Sequence, residues 1–267
     1  MSETTGWNPE RIIRVVEAFP TGSSVVRVET EQGEGFLKAL SNRTEPHNLV
    51  AELVGTRLAR RMKLQTLEFA VIRLSTSDRI RLHDGRYAHA GSAFITRLED
   101  GIPWGGSTEE LNTLANPNDI GRLIVFDTWT RNCDRFRSGK NGQPRKNRDN
   151  VYFSRKNAPS GRFILKAIDH GCCFTCGGEL TPKLAFLDAV QEDTLYGRFP
   201  EFGDQTNRTD LQQIIAEVER IERADIEATI GAVPSDWQLN LQVREALCSF
   251  LVQRAQYLRT IIDHEWP

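Results

Sequence analysis

Between Asn132 and Gly171 the chain sets three polar groups at the ends of two short apolar runs. Val151–Phe153 and Phe163–Ile168 have strand character, and the turn-rich Asn157-Ala158-Pro159-Ser160-Gly161 between them predicts a hairpin. Asp134 lies ahead of this hairpin, Asn150 directly precedes its first run, and Asp169 directly follows its second. A fold is acceptable only if it brings these groups to one mouth. An acid, an amide and a second acid at such a mouth are what Mg²⁺-dependent phosphoryl transfer from ATP requires. One carboxylate orients and deprotonates a hydroxyl, while an amide oxygen and the other carboxylate hold Mg²⁺ on the phosphates.

Upstream, the pattern is that of a small sheet. Arg11–Phe19 and Ser24–Glu29 read as strands joined at Pro20-Thr21-Gly22-Ser23, and a turn at Glu31–Gly35 leads into the strand Gly35-Phe36-Leu37-Lys38-Ala39-Leu40. Asn48–Met62 carries Leu49, Leu53, Val54, Leu58 and Met62 at helical spacing, with Glu52 on the same helix. A strand lysine met by a glutamate on the next helix is how kinases hold a lysine against the α/β-phosphates. For each residue taken alone, a solvated surface side chain is the plainer reading. Gly22, Ser23 and Ser24 occupy the place of a phosphate loop, where small residues with free N–H groups approach a phosphate closely. No G-x-G-x-x-G is present there, and a plain hairpin turn fits equally well. Leu64–Leu74 and Tyr87–Leu98 read as further strands; the second would suit a hinge with a backbone open to an adenine edge, an ordinary edge strand being the plainer reading.

Beyond Gly101 the character turns helical. Asn118–Arg131 has a buried-helix pattern; Thr181–Glu192 and Asp210–Ile230 are expected to be helices; Ser235-Asp236-Trp237-Gln238 reads as a capping box opening the last helix, to about Asp263. The expected architecture is therefore α+β: a mostly β N-lobe over residues 1–101 that covers the nucleotide, and a mostly α C-lobe over residues 102–267 that holds the hairpin. Ligands often lie between such lobes.

Composition narrows the function classes. A net charge of −2 offers no global attraction for nucleic acid or an anionic membrane. The apolar runs fall far short of a bilayer span, and the first residues, Met1–Trp7, contain no signal-type apolar core. Five cysteines, odd and few, argue against a disulfide framework and for a cytoplasmic location. Cys172-Cys173-Phe174-Thr175-Cys176 contains a C-x-x-C, but tetrahedral zinc needs four ligands and no second such pair exists, so incidental thiols are expected.

With Lys38, Glu52, Asp134, Asn150 and Asp169 in this order, the chain resembles the HipA-like serine/threonine kinases and, more remotely, the phosphoinositide lipid kinases. Phe126-Asp127-Thr128-Trp129-Thr130-Arg131-Asn132-Cys133-Asp134-Arg135, then Asn150-Val151-Tyr152-Phe153, then Ala167-Ile168-Asp169-His170-Gly171 carry the resemblance. It implies a bilobal protein-kinase-like fold and an ATP–Mg²⁺-dependent kinase acting on Ser/Thr of a protein. Asp134 would be the catalytic base, Asn150 and Asp169 metal ligands, Lys38 the phosphate anchor and Glu52 its partner. A protein substrate or a separate antitoxin-like partner is implied too. The chain departs from the family in the long segment between Asp134 and Asn150, where Asn141 and Asn147 are alternative metal ligands. That basic loop, Arg135–Asp149, is either a solvated insertion or a site for an acidic or phosphorylated substrate. The break in the catalytic loop also admits a pseudokinase, a nucleotide- or partner-binding module without transfer.

Overall fold

The structure, a computed structural model, describes residues 6–138, 144–203 and 205–265. Its first part is an antiparallel sheet of five strands in the order β1-β2-β3-β5-β4, made by β1 (Ile12–Ala18), β2 (Val26–Thr30), β3 (Gly33–Ala39), β4 (Phe69–Leu74) and β5 (Gly91–Arg97). The two-residue period of a strand sends alternate side chains to opposite faces. In β3, Leu37 and Ala39 enter a small core with Trp7, Val28, Ile72 and Ile95, which leaves Phe36 and Lys38 facing the other way. On that second face lies α1 (Pro46–Arg61), opened by Pro46 and a Glu45/Asn48 capping box. It is buried nearly all round, from Leu49 to Ala59, because helices from the rest of the chain cover its far side.

The expected long strands at 64–74 and 87–98 are shorter than their apolar patterns suggested. Residues before Phe69 are diverted: Gln65 O accepts from Ala167 N at 2.9 Å, and Leu67 O accepts from Arg60 Nη2 at 2.8 Å. Before Gly91, whose φ is +135°, the chain folds on itself through Ala88 N to Ile80 O at 2.9 Å.

The second part is helical around a three-stranded sheet. β6 (Gly101–Pro103) pairs with β9 (Val151–Ser154), which forms the expected hairpin with β10 (Ile164–Ala167) in the register Val151 opposite Ala167. A short ladder, β7 (Phe136–Arg137) with β8 (Arg145–Lys146), stands between. The helices are α2 (Thr108–Leu111), α3 (Asp119–Thr130), α4 (Leu187–Val190), α5 (Arg208–Glu219), α6 (Arg223–Gly231) and α7 (Leu241–Glu265). Three helical expectations need correction. Thr181–Glu192 is a 3₁₀ turn at Pro182–Ala185 and the one-turn α4, broken by extended Phe186. Asp210–Ile230 is two helices, since a break at Ile221–Glu222 lets α5 pack on α3 while α6 reaches α1. Ser235–Trp237 is a 3₁₀ turn, and α7 starts later, where Asn240 Oδ1 accepts from Val243 N at 2.9 Å.

That 3₁₀ turn has another use. Trp237 Nε1 donates to Ser92 O at 3.0 Å, and Ser92 N donates to Asp236 Oδ2 at 2.6 Å. The start of β5 is thus clasped to the helical part. Among the described residues no helix is long and apolar enough to cross a membrane.

Candidate active site

The end of α3 sets up the first half of the site. Arg131 adopts the left-handed conformation (φ 53°, ψ 44°) and turns the chain back, so that Asn132 N reaches Asp127 O at 2.8 Å. Asp134 follows on this turn. Behind it Asp127, buried completely, accepts from Asn132 Nδ2 at 3.1 Å and from Arg135 Nε at 2.8 Å. Burial raises the Asp127 carboxyl to about 6, while the Arg135 guanidinium pulls the other way. Arg135 is itself fully buried. Its Nη1 donates to Asn150 O and, at 2.9 Å, to Ile168 O, the carbonyl just before Asp169. One guanidinium therefore spans the turn of Asp134, the residue Asn150 and the approach to Asp169. Arg135 belongs to the core and not, as its place in the basic stretch suggested, to a solvated loop.

The second half is built on Lys38. Its Nζ lies 2.6 Å from Glu52 Oε2 and 2.8 Å from Asp169 Oδ1, so β3, α1 and the turn after β10 meet at one ammonium. Burial alone would lower the Lys38 pKa; the two carboxylates outweigh it and raise it above the ordinary range. Asp169 has φ +58°, an unfavourable conformation for a non-glycine residue, and strain of this kind tends to gather at functional sites. Its neighbour His170 donates from N to Glu52 Oε1 at 3.1 Å. His170 Nδ1 lies 2.9 Å from Thr56 Oγ1, whose hydroxyl donates to Glu52 O at 2.7 Å. The imidazole must then be the donor in that contact, which leaves Nε2 unprotonated and without a partner. Burial holds the His170 pKa well below its usual value, so the ring is neutral. It is a packing and orienting group beneath the Asp169 turn.

The halves face each other. Asp134 Oδ2 accepts from Asn150 Nδ2 at 2.9 Å and from Asn147 Nδ2 at 3.2 Å, while Oδ1 is ion-paired with Arg145. Two cavities meet along Lys38, Glu52, Asp149, Asn150 and Asp169. The first, about 260 Å³, has apolar walls from Val25, Phe36, Leu67, Phe94, Ala167 and Ile168. The second, about 550 Å³, is polar and includes Gly22, Ser23, Arg43, Asp134 and Arg145. All five of the acid, amide and lysine positions singled out from sequence border this polar cavity. Ser24 does not border it: buried, with φ +49°, it closes the β1–β2 turn behind Gly22 and Ser23. Of the alternative amides, Asn147 borders the polar cavity alone, Asn150 borders both, and Asn141 lies outside the described residues.

Sequence reasoning missed Arg135, Asp127 and Thr56, which position the site, as well as the contact of Arg145 with Asp134. Much of the basic stretch is tied down: Lys146 and Arg148 both pair with Glu201. Among the described residues no group of three or more His, Cys, Asp or Glu side chains is arranged to hold a metal ion.

Comparison with known proteins bears on the fold and the family. Among solved structures, the proinflammatory kinase CtkA of Helicobacter pylori superposes with a TM-score of 0.60 at 13% identity, covering 97% of this chain and 98% of that one. At that identity the likeness speaks for the fold. The PknI kinase domain of Mycobacterium tuberculosis, 16% identical over 99% of this chain and 98% of its own, reaches a TM-score of only 0.27. No curated protein matches. The family described as HipA-like kinase, in contrast, matches residues 12–265, nearly the whole length, and the chain belongs to that family.

Proposed function

We propose that the chain transfers the γ-phosphate of ATP to a hydroxyl, in the first place Ser or Thr of a protein, with Mg²⁺ as the metal. The observation that carries this reading is the convergence of Lys38, Glu52, Asp134, Asn150 and Asp169 on one polar cavity continuous with an apolar one. The apolar cavity suits a purine base and the polar one its phosphates. Residues 1–101 would then cover the nucleotide and residues 102–267 carry the acceptor side. Lys38, fully charged and oriented by Glu52, would hold the α/β-phosphates. Gly22 and Ser23, at the lip, would lie against them.

The donor set fits a hard divalent cation. The Asn150 amide nitrogen is turned to Asp134, leaving the amide oxygen, and Asp169 uses Oδ1 on Lys38, leaving its second carboxylate oxygen. Mg²⁺ bound there supplies neutralisation of phosphate charge. Asp134, held from one side by Asn150 and Asn147, would accept the proton of the acceptor hydroxyl and fix its line of approach.

A second reading has an observation of its own. Arg145 sits on Asp134, occupying the oxygen a hydroxyl acceptor would need. With Arg145 held there, the cleft would bind nucleotide for partner recognition without transfer. Both readings are tested with γ-labelled ATP, Mg²⁺ and a Ser/Thr-rich protein acceptor, beside calorimetry. Active enzyme is expected, with Asp134→Ala lowering transfer by about 10²–10⁴ and Asp169→Ala abolishing it. Mg·ATP binding with no transfer or hydrolysis would establish the non-catalytic reading, and full activity in either variant would exclude the mechanism. An antitoxin-like protein partner, if the chain has one, would be expected to change this transfer rate when added.

A further inference from the structure

Both oxygens of Asp134 are occupied. Oδ2 accepts from Asn150 and Asn147, and Oδ1 is taken by Arg145. An acceptor hydroxyl reaches this carboxylate only when one of these donors withdraws. Asn150 is buried and Asn147 half-buried, whereas the Arg145 side chain is 51% exposed and is the one able to leave.

Arg145 does not stand alone. The β7–β8 register sets it directly opposite Arg137. Opposed residues of an antiparallel pair put their side chains on one face, with Cβ atoms about 5 Å apart, and like charges so placed repel. The platform beneath them is fixed. Asn147 N donates to Arg135 O at 2.8 Å, Gly197 N donates to Phe136 O at 2.9 Å, and the buried Phe136 ring lies 5.2 Å from that of Phe199. The neighbouring cations are matched: Lys146 and Arg148 pair with Glu201, and Arg43, across the polar cavity, leans on Asp84 at 3.6 Å. Arg137 is exposed and has no carboxylate partner among the described residues. Glu52 and Asp169 are both held by Lys38. Two arginines therefore stand side by side with one paired carboxylate between them, and that carboxylate is Asp134.

We propose that Arg145, with Arg137 beside it, recognises an anionic side chain of the protein acceptor close to its target Ser or Thr. The anion draws Arg145 off Asp134 as the acceptor docks. An acidic acceptor thus uncovers the base, and a neutral one meets it still covered. The proposal rests on the reading of Asp134 as base and names the class of acceptor that suits it. A guanidinium exchanges one anion for another readily, because its planar fork of donors matches a carboxylate or a phosphate equally well. Once uncovered, Asp134 accepts the proton of the hydroxyl. The hydroxyl oxygen bonds to the γ-phosphorus while the bond from that phosphorus to the β-phosphate oxygen breaks, leaving a phosphoester and ADP.

The test uses the full chain with Mg²⁺ and γ-labelled ATP. The acceptor is a Ser-containing peptide flanked by Gln, in which each flanking position is replaced in turn by Glu. At one or a few positions kcat/KM is expected to rise about fivefold, the upper end for a single solvent-facing ion pair, and the gain should fade in high salt. Phosphoserine at the same position separates the two sources of negative charge: a further gain assigns a phosphate, no further gain a carboxylate. In Arg145→Gln the preference is expected to vanish while kcat on the all-Gln peptide rises, since the base stands uncovered. A merely structural role would lower both peptides alike. Arg145→Lys should keep part of the preference, and Arg137→Gln, at an exposed position, should narrow it. Equal kcat/KM for Glu and Gln at every position, or a preference that survives Arg145→Gln, overturns the proposal. Should no peptide be phosphorylated, the kinase reading fails instead, and fluorescein-labelled copies of the same peptides decide recognition by anisotropy with Mg·ADP. Glu-dependent binding lost in Arg145→Gln upholds the arginine pair; binding indifferent to Glu overturns it.

Discussion

Arg135 decides more of this site than any residue that touches the cleft. Its guanidinium is enclosed by the Asp127 carboxylate and two main-chain carbonyls, and removing it leaves a buried negative charge unpaired. Breaking such a pair from one side typically costs about 3–5 kcal/mol. Arg135→Met is therefore expected to lower the urea midpoint sharply, and Asp127→Asn added to it to recover part of the loss. A second residue sets a pH limit. Unfolded histidine takes up a proton near pH 6.5, whereas buried His170 resists it, so below that pH the unfolded chain binds more protons. Stability from this group is complete above about 6.5 and falls by up to ~1.4 kcal/mol per unit as the pH drops below it. In urea titrations from about pH 7.5 to 5.5, His170→Asn should flatten this dependence; equal slopes would refute the assignment. That Lys38, Glu52, Asp134, Asn150 and Asp169 meet at one cavity was legible in the sequence from their order beside short strands and one helix. Arg135 was not, since an arginine's burial is settled by carbonyls contributed from residues far along the chain.

At the scale of elements, the two-residue alternation in β2 and β3 and the spacing of α1 were readable because each has one dominant packing face or is wholly enclosed. The division of residues 210–230 into α5 and α6 was hidden, for neither proline nor glycine marks the break; what ends α5 is the different surface each half covers. Glycine is informative at Gly101, where β6 crosses β9. A Cβ there would stand 2.4 Å from Phe153 O and 2.9 Å from Ser154 Cα, both main-chain atoms that cannot swing aside. Gly101→Ala is expected to cost about 1–3 kcal/mol, the usual range for overpacking, and to weaken nucleotide binding by shifting the β5–β6 connection. A thermal melt with and without Mg·ATP measures both; an unchanged melt would show that the pairing can slide.

For the molecule as a whole, two cores meet at the sheet: the small one beneath its outer face, and the large one that α1 shares with the helical part. Strand β5 joins them, with its start clasped by Trp237 and Asp236. Just past its end, Glu99 O accepts from Tyr152 Oη at 2.8 Å, and the Glu99 carboxylate pairs with buried Lys166. Trp237→Phe, which keeps most of the ring's bulk but deletes one hydrogen bond, should cost about 1 kcal/mol. Asp236→Ala should speed amide exchange at Ser92, by mass spectrometry, ahead of its neighbours in β5.

A strand fastened at its start and just past its end behaves as a rail rather than as one jaw of a clamp. The roof over the cleft is then poorly placed to swing open as a unit. The tip between β1 and β2 is held differently, by Thr44 Oγ1 donating to Ser23 O at 2.8 Å. On the proposed reading, nucleotide would enter and leave past this tip, so Thr44→Val, which deletes the tie, would be expected to change the rate of nucleotide release more than a change at the β5 clasp would.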